Sequence, residues 1–128
     1  MGAIDFAILP SRFEPFGLVQ LEAMAMGALP VASATGGHKD VIVDAGHEGC
    51  FGRLFPPGDA AALGRAVEEM ARLGRDRPDE VDAMRIRAAA VARRYSDRAM
   101  AERYEELYES ILHAPGRPAE SSCRMIGR

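Results

Sequence analysis

The chain has 128 residues, 48% of them hydrophobic, and a formal charge of -3. That length supports one modest core rather than two domains. The slight acidity argues against nucleic acid or an anionic membrane as partner, and no apolar run approaches the ~20 residues that cross a bilayer. No basic-then-apolar leader opens the chain, and Cys50 and Cys123 lie far apart, so a soluble, cytoplasmic piece with reduced thiols is expected.

In chain order, Ile4 to Leu9 is a short apolar run ended by Pro10, and Leu29 to Ser33 is another ended by Thr35-Gly36-Gly37. Each has the length of a buried parallel strand. Between them a helix begins after Gly17 with Leu18, Val19, Leu21, Ala23, Met24, Ala25 and Met26 as its apolar residues, and it stops at Gly27, which suits a left-handed closing position. Met24 and Met26 read as core packing. Strand, helix, strand with a right-handed crossover brings the loop holding Glu14 and the loop holding Gly36-Gly37 to the carboxyl edge of both strands, where open α/β sheets take their ligands.

Further along, Gly52 to Phe55 reads as a strand and Pro56-Pro57-Gly58 as a turn. Asp59 caps a helix to about Leu73 with Leu63, Val67 and Met70 on one face. A helical region covers about Pro78 to Arg94, and Ser96 caps a last helix through Leu112 with Met100, Tyr104, Leu107, Tyr108 and Ile111 as its apolar stripe. The fold class expected is α/β, a partial Rossmann-like parallel sheet with flanking helices over residues 1–112, followed by a disordered Pro/Gly/Ser-rich tail over 113–128.

The candidate site lies between Leu9 and Asp40. Glu14 stands in a Pro/Gly loop and Glu22 on an otherwise apolar helix; an ionised group buried there costs several kcal/mol unless paired, so two of them ask for a polar ligand. At the helix mouth, Phe16-Gly17-Leu18 offers N–H groups without helical partners and the positive dipole end, which together favour a phosphate. A carboxylate accepts hydrogen bonds only and so suits vicinal sugar hydroxyls. A ligand with hydroxyls at both ends and phosphate between them, a nucleotide sugar, satisfies all three. Gly36-Gly37 serves either as a turn or as a ligand contact, and Arg12 reaches a phosphate or a neighbouring carbonyl or carboxylate. His38, His47 and His113 have no metal-ligand spacing and are assigned to surface or loop roles, so no metal is expected.

The tract Pro10-Ser11-Arg12-Phe13-Glu14-Pro15-Phe16-Gly17-Leu18, with Glu22 following Glu14, resembles the donor-binding C-terminal half of retaining glycosyltransferases of the two-Rossmann-domain GT-B type, most closely the glycogen and starch synthases. The likeness continues through Gly27-Ala28-Leu29-Pro30-Val31, Thr35-Gly36-Gly37 with Asp40, and Gly52-Arg53-Leu54-Phe55-Pro56-Pro57-Gly58-Asp59, covering roughly residues 3–112. It implies that Glu14, the catalytic assignment, contacts hydroxyls of the transferred glucose, that backbone amides of Phe16, Gly17 and Leu18 bind sugar and diphosphate, and that Glu22 holds the ribose. Bacterial glycogen synthases often carry Tyr at the position of Glu22, often Cys at that of Phe16, and often a hydroxyl side chain at that of Val19, so ADP and UDP both stay open.

The resemblance further implies retaining transfer of glucose from ADP- or UDP-glucose to an α-1,4-glucan, with no cofactor. In the family the acceptor domain, a basic Arg and Lys that offset the diphosphate charge, and several strands of the donor domain itself all precede this region. The chain is therefore expected to be a truncated, split or misannotated piece that does not catalyse alone. Sucrose- or trehalose-type hexosyl transfer, a non-catalytic nucleotide-binding remnant and a hydrolase using Glu14 and Glu22 as acid and nucleophile are the competing readings, the last disfavoured by the phosphate-type helix mouth beside both acids.

Overall fold

The computed structural model describes residues 5–113, so Ile4 and the tail from 114 onward lie outside the described residues. Among the described residues, the strands are β1 (Phe6–Leu9), β2 (Leu29–Ser33) and β3 (Arg53–Phe55), and the helices α1 (Leu18–Ala25), α2 (Gly36–Val41), α3 (Ala60–Asp76), α4 (Pro78–Arg93) and α5 (Asp97–Leu112). The strands form one parallel sheet in the order β1-β2-β3. Two compact units result, one through Ser96 and one from Asp97.

In the first unit β2 is the centre. All five of its residues are buried, as its uninterrupted apolar run requires. Pro30 is tolerated there for a geometric reason. Leu29 N–H donates to Asp5 O at 3.0 Å, so the next main-chain nitrogen faces β3, where strand pairing begins only at Val31 opposite Arg53. A Cβ on Gly52 would lie 2.9 Å from Pro30 O and 2.7 Å from Ile42 Cγ2, so bare backbone is needed on that side.

Unlike β2, β1 occupies an edge. It is only partly covered, with Ile8 exposed, which corrects the expectation of a strand buried throughout. α1 ends as its sequence directs: Gly27 has φ 87, and its N–H donates to Met24 O at 3.1 Å. Met24 is wholly buried. Met26 is 73% exposed, so only the first of the two methionines belongs to the core.

The remaining helices complete that core. Asp59 Oδ1 accepts from Ala62 N–H at 2.8 Å and caps α3, which runs to Asp76 rather than Leu73 and buries Ala62, Ala66 and Met70 at successive four-residue steps. Pro78 opens α4, where a missing N–H costs nothing. α4 buries Val81, Met84, Ala88 and Ala92 and packs against α1, α3 and β2. Arg87 reaches across to donate to Cys50 O at 3.0 Å. The Cys50 thiol itself is free.

Among its described residues, the second unit consists of α5 and His113. None of its residues is buried, and Tyr104 and Tyr108 lie one turn apart with ring centroids separated by 6.2 Å.

Candidate functional site

The loop after β1 (residues 10–17) and the segment after β2 (residues 34–38) leave the same rim of the sheet because the two strands are parallel. Hydrogen bonds to main-chain carbonyls hold them together. Gly37 N–H donates to Glu14 O at 3.0 Å, and Ser33 Oγ donates to Ser11 O. The approach is too close for side chains on the glycines. A Cβ on Gly36 would sit 1.8 Å from Glu14 O and one on Gly37 2.0 Å from Phe16 O. Gly36-Gly37 is thus a close-packing element rather than a free turn, and it starts a six-residue helix, α2, that its sequence does not announce.

The predicted residues fall on this rim as follows. The half-buried Glu14 turns its carboxylate back onto the helix mouth, where Oε1 accepts from Gly17 N–H at 2.9 Å. Gly17 is the N-cap of α1 and has φ 89, a left-handed conformation that glycine adopts without strain. Phe16 is partly exposed and stands edge-on to Tyr95, with ring centroids 5.7 Å apart at 67°. Leu18 is 63% exposed, so its side chain leaves the first-turn backbone open. The N–H groups of Leu18 and Val19 begin α1 and have no partner within it.

Glu22 is exposed on α1. The burial penalty expected of it does not apply, because the buried polar residue of this helix is Gln20. Its side chain is 0% exposed, and Nε2 donates to Phe16 O at 3.3 Å and to Gly37 O at 3.1 Å, while Oε1 is buried without a partner. His38 also departs from expectation. It is buried at 1% exposure, and Nδ1–H donates to Ser33 O at 3.1 Å. His47 and His113 are exposed as anticipated. A sequence signal for Gln20 did exist: it precedes the buried Met24 by four residues and so lies on the same helix stripe.

Arg12 is exposed, beside a shallow depression lined with Pro10, Phe55, Gly58, Asp59 and Leu63. Among the described residues no group of three His, Cys, Asp or Glu side chains could hold a metal ion. None of the helices in the described residues is long and apolar enough to cross a membrane.

An open parallel sheet flanked by helices, with the loops that follow its strands gathered at the carboxyl rim, defines the open α/β class, whose ligands sit at that rim. Within that class the chain belongs to the glycosyl transferases group 1 family, whose description matches residues 1–90. It is 42% identical over 124 residues to glycogen synthase of Bordetella parapertussis, covering 88% of this chain and 23% of that protein. Glycogen synthase of Halorhodospira halophila is 38% identical over 114 residues, with the same coverage. Among solved structures, sucrose-phosphate synthase from Thermosynechococcus elongatus matches with a TM-score of 0.68 at 31% identity, over 84% of this chain and 25% of that one. The catalytic domain of starch synthase IV from Arabidopsis thaliana bound to ADP and acarbose matches with a TM-score of 0.63 at 32% identity, over 82% and 22%. The chain therefore spans about a quarter of the length of these relatives, and its partial Rossmann-like sheet is shared with GT-B glycosyltransferases.

Proposed function

We propose that this chain is the donor-gripping part of a retaining glycosyltransferase that moves glucose from ADP- or UDP-glucose to an α-1,4-glucan. The observation that carries the reading is the placement of the Glu14 carboxylate against the mouth of α1, in a chain about 40% identical to glycogen synthases. In this reading Glu14 accepts from hydroxyls of the glucose, using the lone pairs that Gly17 leaves open. The Phe16–Gly17 peptide, its N–H already given to Glu14, lies toward the sugar, and the N–H of Leu18 is left for the diphosphate. The positive end of α1 stabilises the charge that grows on the departing diphosphate. Glu22, exposed on the same helix, holds the ribose. Catalysis then rests on binding and electrostatics, with neither glutamate acting as nucleophile.

The domain that binds the acceptor glucan and the remaining cationic groups would come from sequence that relatives carry beyond the quarter matched here, so turnover by this chain alone is not expected. Sucrose-phosphate synthase shares the fold, but the curated relatives at about 40% identity are glycogen synthases, which favours glucan over a small acceptor. Calorimetric titration with ADP, UDP, ADP-glucose and UDP-glucose tests the reading. Wild-type chain should bind a glucose conjugate, Glu14→Ala should lose the glucose-dependent part of the affinity, and Glu22→Ala the nucleotide-dependent part. A folded chain that binds none of the four overturns it.

A further inference from the structure

Gln20 is the polar side chain of α1 that the proposed donor contacts leave unused. It is fully buried, and an apolar residue of the same size would leave no orphaned oxygen such as its Oε1. What it contributes is its donor. One Nε2 hydrogen goes to Phe16 O and the other to Gly37 O, so a single carboxamide bridges the two loops of the rim. Phe16 O and Gly17 N belong to one peptide unit. Gln20 therefore holds that peptide at its carbonyl while Glu14 Oε1 holds it at its N–H. Gly37 closes the circuit, accepting from Gln20 through its carbonyl and donating to Glu14 O through its N–H. Gln20 also packs directly beneath the peptide: a Cβ on Gly17 would lie 2.8 Å from Nε2.

We infer that Gln20 is a positioning residue, fixing the Phe16–Gly17 peptide and through it the Glu14 carboxylate in the orientation that meets the sugar of the donor. The inference rests on the donor-site reading above. Rotation of this peptide would withdraw the Gly17 N–H from Glu14 and free the carboxylate to swing away. The glucose end of the ligand is then the end that suffers, while a nucleotide contact on Glu22 is spared.

The test begins with the wild-type chain by NMR. Both side-chain amide protons of Gln20 should exchange slowly and show couplings across hydrogen bonds to the carbonyl carbons of Phe16 and Gly37. Gln20→Met and Gln20→Glu keep the length but lack the Nε2 donor. Each should speed exchange of the Gly17 amide by about tenfold and weaken ADP-glucose about tenfold while changing ADP by no more than about twofold. Fast exchange at Gln20 in the wild type overturns the inference, and that measurement decides even if both variants fail to fold. So does wild-type Gly17 exchange in the variants. An equal loss for ADP and ADP-glucose also overturns it, because a merely structural role loosens both ends. If wild-type chain binds no ADP-glucose, the donor reading falls by itself, and the hold of Gln20 on Gly17 is decided by the exchange data.

Discussion

Replacing Gly37 by alanine sets two effects of opposite sign against each other. Gly37 lies in the first turn of α2 without a positive φ, and helix propensity alone would favour alanine by about 1 kcal/mol. Against this, the new Cβ would sit 2.0, 2.4 and 2.5 Å from Phe16 O, C and Cα, all of them backbone, where real Cβ atoms stay beyond 3.0 Å. The loops must part by about an ångström, enough to break the bonds from Gly37 N–H to Glu14 O and from Gln20 Nε2 to Gly37 O, both near 3 Å now. Each buried group left unpaired costs about 1–3 kcal/mol, so the net loss should be about 3 kcal/mol out of the ~5–15 kcal/mol that holds a typical domain. With a urea slope of about 1.5 kcal/mol/M the midpoint should fall by about 2 M, and titration should show the glucose conjugate no longer bound. Gly27→Ala is the control: nothing lies within 4 Å of its Cβ, so only the φ of 87 is strained, at about 1–2 kcal/mol, with binding retained. A Gly37→Ala protein within about 1 kcal/mol of wild type and equally competent in titration would mean that the two loops are not packed as described.

Glu14→Ala removes the acceptor of Gly17 N–H and should lower thermal stability by about 1 kcal/mol, measured by circular dichroism melting, besides abolishing glucose-dependent binding. Glu22→Ala, at an exposed position, should change stability by no more than about 0.5 kcal/mol in the same melt, so any loss of nucleotide affinity would come from the ligand contact. Met84→Ala empties a fully buried position between α4 and its neighbours and should cost about 2–5 kcal/mol in urea unfolding, whereas the exposed Met26→Ala should be close to neutral.

The β1-α1-β2 unit is legible because its signals are local: the unbroken Leu29–Ser33 run, Pro10 after the first strand and the φ 87 glycine that closes α1. Asp59 and Pro78 announce their helices in the same way. What sequence does not convey is what lies opposite. Leu18 and Val19 are apolar and Met26 reads as core, yet each is more than half exposed because no element of the first unit packs over that side of α1. Conversely, Gln20 and His38 are polar and buried: the helix stripe shared with Met24 places Gln20 inward, but its partner Gly37 and the approach of His38 to Gly17 join segments about twenty residues apart, which no local pattern encodes. α2 is missed because Gly36-Gly37 resembles a turn, and its helix is too short to show a period.

Segments such as Pro-Phe-Gly and Thr-Gly-Gly are ordinarily taken for supple chain. Here their peptide planes are cross-tied by Glu14, Gln20 and Gly37, so neither can wander alone. The entropy of ordering this plate of backbone is surrendered when the protein folds, so the donor proposed for it would meet a surface already set.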